Sequence, residues 1–168
     1  REEVIGQRAD FLMTRESGRL GRRNSRGLVH QIVQNWARQS PQAALDWVRN
    51  RELSNRHWRQ NLLNAAYGGW LQARPREAAE HLARQEWLRD YESVDTERRQ
   101  TILRSMGHIA AEQILDHVGQ DCEDALGIAH ELPEGRFRQA MTSAVLRKWA
   151  HDEPEFAFAW IAENPRHE

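Results

Sequence analysis

One cysteine, Cys122, in 168 residues leaves no internal disulfide framework to consider. A single thiol is too little for a thiolate-rich metal site, and neither a His-x-x-x-His nor a Cys-x-x-Cys pair accompanies it. A strand-borne Gly-x-Ser-x-Gly elbow is missing, as is the Gly-x-x-x-x-Gly-Lys loop that cradles phosphates, so neither acyl transfer nor P-loop nucleotide chemistry is expected. No apolar run approaches the roughly 18 residues a bilayer span requires, and no membrane insertion by this segment is expected. Lysine is scarce: of 24 basic residues only Lys148 is not arginine. These absences set the first expectation, a chain with no catalytic residue, no metal and no cofactor. The first residue is Arg1 and no signal peptide follows it, which suggests a module processed or excised from a longer protein.

What the chain does have is tryptophan, seven against two Tyr and four Phe, and rings of that size argue for a packed interior. The length suits a single domain, 1–168, able to bury a sizeable core. The tryptophans recur in a pattern. Trp36-Ala-Arg-Gln-Ser-Pro41-Gln-Ala-Ala-Leu-Asp-Trp47 is repeated as Trp149-Ala-His-Asp-Glu-Pro154-Glu-Phe-Ala-Phe-Ala-Trp160, with both Trp and the Pro in register. Trp70-Leu-Gln-Ala-Arg-Pro75-Arg-Glu-Ala-Ala-Glu-His81 lacks the second Trp, and His117-Val-Gly-Gln-Asp-Cys122-Glu-Asp-Ala-Leu-Gly-Ile128 is a degenerate copy with Cys122 in place of Pro. The anchors at 41, 75, 122 and 154 are separated by 34, 47 and 32 residues.

Each part of the unit has a mechanical reason. Proline suits the first position of a helix, where its missing N–H would be unbonded anyway. It drives the preceding residue out of the α region, so the upstream helix stops there. Ser40 and Asp121 precede their anchors and are expected to cap the helices that follow. Upstream of the anchors, Leu28, Val29, Ile32, Val33 and Trp36 share one helical face. Leu62, Leu63, Ala66 and Trp70 share another, and Met141, Ala144, Val145 and Trp149 a third. Downstream, Ala44, Leu45 and Trp47, then Ala78, Ala79 and Leu82, then Ala157, Trp160 and Ile161 mark short apolar helices. The breakers are Asn50 to Ser54, Leu132-Pro133-Glu134-Gly135, and Ser17-Gly18 to Gly21. The last of these separates a first helix, about Glu2 to Thr14, from the repeats. The pattern from Thr96 through Ile102, Met106, Ala110, Ile114 and Val118 predicts one long or kinked helix across Gly107.

A helical pair of this length cannot bury its apolar face alone, so copies are expected to stack. The expected fold is all-α, a right-handed stack of antiparallel helical hairpins, an α-solenoid of about four repeats. In it, 1–24 form an N-terminal helix and Arg-rich loop, and 25–164 the repeats. On the Ala-Tyr67-Gly-Gly-Trp70 stretch, the Ala-rich second helices and the steps of 32 and 34, the chain resembles the tetratricopeptide-like helical repeats over roughly residues 25–164. It departs from them in that Pro opens the second helix here, whereas the tetratricopeptide pattern places its Pro at the repeat end. It is more similar to bacterial repeat proteins with a Trp-Ala-x-x-(Asp)-Pro-x-x-Ala-x-x-Trp unit and Leu-Pro-x-Gly linkers. That resemblance implies a fold and no activity; for compartment the expectation leans to the bacterial envelope or periplasm.

If first helices line a concave face, the polar positions eleven, ten, seven and six residues before each anchor form it. These are His30, Gln31, Gln34 and Asn35, then Asn64, then Glu112 and Asp116, then Ser143, Arg147 and Lys148. Amides there can pair with an extended peptide backbone and charges can select its ends, so the partner expected is a protein or peptide. His108 and Glu112 stand at i,i+4 with Asp116, His117 and Cys122 following, but scattered surface groups are the simpler reading of them. An alternative role is anion or nucleic-acid binding by the Arg15–Arg26 stretch, through Arg19, Arg22, Arg23 and Arg26. Against it, the pI is near 6.8 and no aromatic platform adjoins the run in sequence. A third reading is the helical accessory domain of an enzyme. Charge is polarised along the chain: residues 1–60 carry twelve Arg against six acids, whereas residues 101–168 carry six basic residues against twelve acids. This asymmetry suits head-to-tail self-association.

Overall fold

The computed structural model describes residues 2–14, 19–51, 53, 56–84, 87 and 95–164. Those residues are mostly helical, with no strand among them. Nine helices are described: α1 (Glu2–Thr14), α2 (Arg19–Gln39), α3 (Pro41–Arg49), α4 (Arg56–Ala73), α5 (Pro75–Ala83), α6 (Thr96–His117), α7 (Cys122–Glu131), α8 (Arg136–Asp152) and α9 (Pro154–Glu163). The contacts divide the chain into two compact units, Arg1–Arg74 and Pro75–Glu168.

All four anchors open a helix, so the break predicted by sequence chemistry is where the chain turns. The joints at Ser40 and Glu153 are nearly superposable, with φ,ψ of −138°, 75° and −141°, 73°. Both residues precede proline and are held outside the α region. The hydrogen-bond ladder nevertheless runs through the corner. Ser40 N–H donates to Trp36 O at 2.8 Å and Ala44 N–H to Ser40 O at 3.1 Å. Glu153 N–H donates to Trp149 O at 2.7 Å and Ala157 N–H to Glu153 O at 3.2 Å.

Ser40 does not cap α3 through its side chain, contrary to expectation. With Pro41 at the first position, one orphan donor is already gone. Asp121 does cap α7, accepting from Asp124 N–H at 3.0 Å, and Asp95 caps α6 in the same way, accepting from Arg98 N–H at 2.8 Å. Where Cys122 replaces proline, the joint lengthens to 118–121, with Gly119 and Gln120 at φ of 69° and 71°. Of the predicted breakers, Ser54 and residues 17 and 18 lie outside the described residues.

In the first unit, α2 and α4 pair side by side and run parallel. Gly69 meets the backbone at Gln34, and five residues further along both helices the Arg74 guanidinium donates to Gln39 O at 3.0 Å. A Cβ at Gly69 would overlap the Gln34 carbonyl oxygen, so the two backbones approach this closely only because that residue is glycine. The short α3 returns between them and packs on both, burying Ala44, Leu45 and Val48. Helix α1 packs on α2. The segment from Arg19 is not a loop; it forms the first turns of α2. Arginine and leucine are good helix formers, and the helix is held by its packing on α4, which outweighs Gly21 and Gly27.

The second unit repeats the arrangement. Here α6 and α8 pair, with Gly107 against Ala140, where an added Cβ would lie 2.7 Å from the alanine methyl. α6 is one continuous helix across Gly107, as the periodicity predicts. The short α7 packs on α6 and α8, α9 packs on α8, and α5 packs on α6 and α8. Trp36, Trp70 and Trp149 are buried, as a packing role demands. Burying a large side chain contributes on the order of 1.5–3 kcal/mol. Trp149 also tilts against Trp160 at 6.5 Å, and Trp160 stacks on His130 at 5.6 Å. Two residues assigned by periodicity to buried faces, Leu28 and Ile161, are exposed.

Candidate functional site

The close approach of Gly107 and Ala140 leaves a groove of about 360 Å³ between α6 and α8. Gln100, Arg104 and His108 follow one another at steps of four on α6 and so lie on one stripe. Arg136, Gln139, Ser143 and Arg147 supply the facing stripe of α8, and Leu103 and Ala140 add the apolar lining. Three guanidinium groups and an imidazole thus share a small concave surface with two amides and a hydroxyl, and no carboxylate lines it.

Arg147 spans the groove. Its Nη2 lies 2.8 Å from His108 Nε2, and since a guanidinium can only donate, that imidazole nitrogen is the acceptor. Arg104 and Arg136 have no carboxylate partner and no hydrogen bond among the described residues. The first acids on the same α6 stripe are Glu112 and Asp116, one and two turns beyond His108. Both are exposed, and Asp116 accepts from the Gln120 amide at 2.7 Å. No hydrogen bond joins Ser143 to His108 among the described residues, so no nucleophile–base pair is assembled there.

The residues picked from sequence divide unevenly. Ser143 and Arg147 lie in the groove. Lys148, next in sequence, instead pairs with Asp152 at 2.9 Å. That hydrogen bond raises the Lys148 ammonium above the ordinary lysine range and holds the Asp152 carboxyl below its own. Near this end of α8, burial raises the Cys122 thiol, partly countered by the Lys148 charge. On α2, Gln31 and Asn35 are exposed and His30 and Gln34 half-buried, with the Gln34 amide donating to Gln72 at 3.4 Å. Asn64 is exposed on α4.

The alternative anion-binding set sits on α2. The side chains of Arg19, Arg22 and Arg23 lie outside the described residues. Arg26 is exposed and its guanidinium lies over the Trp58 ring, 5.7 Å from the centroid. An aromatic neighbour therefore does adjoin this run, brought from 32 residues away by the α2–α4 pairing. Among the described residues no three His, Cys, Asp or Glu cluster as metal ligands, and no helix is long and apolar enough to cross a membrane.

Sequence reasoning missed Gln100, Arg104, Arg136 and Gln139, and gave His108 only a passing metal reading. A usable signal was present. Eighteen residues before the anchors stand Arg23, His57, Arg104 and Arg136, a basic or imidazole side chain in every copy. Counting back only eleven residues stopped two turns short of it. No family model matches the chain, and no curated protein or solved structure matches it either.

Proposed function

We propose that the chain is a non-catalytic interaction scaffold, a right-handed tetratricopeptide-like stack of about four helical hairpins. In this reading its α6–α8 groove receives an extended protein segment bearing carboxylates. Support for the stack comes from the recurring corner geometry and from parallel first helices linked by short returning ones. The observation that carries the ligand is the groove's charge: Arg104 and Arg136 without partners among the described residues, Arg147 beside them, and no acid among the lining residues. From Gln100 to His108 the α6 wall runs about 12 Å at ~1.5 Å per residue. That accommodates three or four extended residues at about 3.3 Å each. The amides of Gln100 and Gln139 are placed to pair with such a backbone while the guanidiniums take its side chains. The role needs neither metal nor cofactor.

Fluorescence anisotropy with a labelled Glu-rich peptide, and with its Gln-substituted counterpart, tests the reading. The acidic peptide should bind and the neutral one should not. Exposed ion pairs contribute roughly 0.2–1 kcal/mol each, so the double variant Arg104→Gln/Arg136→Gln should weaken binding by about 2- to 30-fold. Equal binding of the two peptides, or affinity unmoved in the double variant, would overturn the reading. Tight, steeply salt-dependent capture of an oligonucleotide in preference to the peptide would favour the anion-binding role instead.

A further inference from the structure

The groove between α6 and α8 carries its cationic groups at two levels rather than as one patch. The returning α7 packs on both helices, and residue numbers rise together along the pair, Gly107 against Ala140 and His108 against Arg147. Helices α6 and α8 therefore run parallel, and the Gly107–Ala140 contact sets their register. Arg104 stands three residues before that contact on α6, and Arg136 four before it on α8. At ~1.5 Å per residue the two are level to within about 2 Å, on opposite walls of the groove.

Arg147 belongs to the other level. It springs from α8 seven residues past Ala140, but its side chain leans back along the helix to meet His108, one residue past Gly107. His108 is thus a positioning residue. It holds the Arg147 guanidinium one turn of α6 from Arg104, about 6 Å for four residues. Gln139, one residue before Ala140, stands at a level between the two. An extended peptide has a matching period. Its residues i and i+2 point the same way and lie about 6.6 Å apart. Adjacent residues point to opposite sides, and so do residues i and i+3, about 10 Å apart.

We propose that the groove reads the spacing of acids: it takes an extended segment with two carboxylates two residues apart, an acid-x-acid motif. One carboxylate is held between Arg104 and Arg136, whose opposed guanidiniums suit its two oxygens, and the other by Arg147. The Gln139 amide pairs with the backbone of the middle residue. The helical turn of the wall thereby meets the two-residue repeat of a strand. This inference rests on the groove being a site for acidic peptides and adds which acidic sequences it prefers.

Fluorescence anisotropy with three labelled peptides of equal length and charge provides the test. Each carries two Glu in an Ala–Ser background, placed adjacent, two apart or three apart. The peptide with Glu two apart should bind best, and the others more weakly by roughly 1.4- to 5-fold, the worth of one exposed ion pair. Arg147→Gln removes the second level and should bring the three peptides to equal affinity. Lys148→Gln deletes the same charge from the next residue, whose ammonium pairs with Asp152 outside the groove, and should keep the preference. Helical circular dichroism should be unchanged in both variants. Equal affinity of the three peptides for the wild-type chain would overturn the spacing and leave the acidic-peptide reading intact. A preference that survives Arg147→Gln, or vanishes in Lys148→Gln, would overturn the two-level assignment. Binding by none of the three, or equally by their Gln-substituted counterparts, would overturn the acidic-peptide reading and the proposal with it.

Discussion

Gly68 and Gly69 are neighbours in α4 with opposite surroundings, and replacing each by alanine isolates the helix contact that organises the first unit. A Cβ at Gly68 would meet nothing within 4 Å. Gly68→Ala therefore collects only the helix-propensity difference and should stabilise by about 0.8–1 kcal/mol. Gly69→Ala collects the same gain, but its methyl would overlap the Gln34 carbonyl oxygen and lie 3.0 Å from the carbonyl carbon and 3.2 Å from the Ala37 methyl. Backbone atoms cannot swing aside as a side-chain tip can, so α2 and α4 must separate. Overpacking of this kind costs about 1–3 kcal/mol. Net of propensity, Gly69→Ala should be neutral to about 2 kcal/mol less stable than wild type, and about 1–3 kcal/mol below its neighbour. Urea unfolding followed by Trp fluorescence and far-UV circular dichroism reads both variants directly, since Trp36 and Trp70 are buried in this unit. Equal midpoints for the two variants would refute the close approach of α2 and α4 and, with it, their parallel register.

In the second unit the same contrast should appear between Gly107→Ala, whose methyl would crowd Ala140, and Gly127→Ala, which has open space. Asp121→Ala removes the acceptor for Asp124 N–H and should cost about 1 kcal/mol in urea unfolding, whereas retention of full stability would show that the cap is immaterial. Cys122, whose thiol burial raises above its ordinary 9.0, should alkylate with iodoacetamide more slowly at pH 8.5 than a cysteine peptide. Because the folded form holds that proton more tightly, its contribution to stability is fully present below the unfolded pKa and is lost as pH rises through the folded one. An alkylation rate equal to the peptide's would contradict the burial.

The helix boundaries were legible wherever a local rule decides them. Proline stops one helix and starts the next whatever surrounds it, so 41, 75 and 154 could be read directly, and the degenerate copy at 122 followed from register. Residues 19–24 read as loop because Gly21 counts as a breaker locally, whereas packing of α2 on α4 decides their state. The groove was half legible for a related reason. Ser143 and Arg147 emerge from counting along one helix, but which turns of α6 face which turns of α8 depends on the Gly107–Ala140 contact. Trp58 lies beside Arg26 by the same kind of pairing, which spacing along the chain does not encode.

The corners at Ser40 and Glu153 also decide where such a chain can flex. A helix boundary usually frays, its amides exchanging with solvent and its angle drifting with temperature. Here hydrogen bonds are made on both sides of the turn, and proline fixes the one φ that remains. Bending there would break bonds already formed, so each corner behaves as a bracket and compliance falls to the joins that lack one. The turn at 118–121 is the longer join. Gln120 N–H donates to Leu115 O at 2.7 Å and Ala125 N–H to Asp121 O at 3.1 Å, so it too is bonded on both sides. It carries two residues of positive φ, however, and no proline to fix them. Load or partner binding that deforms the second unit should therefore be taken up at that turn, while the proline corners keep their angle.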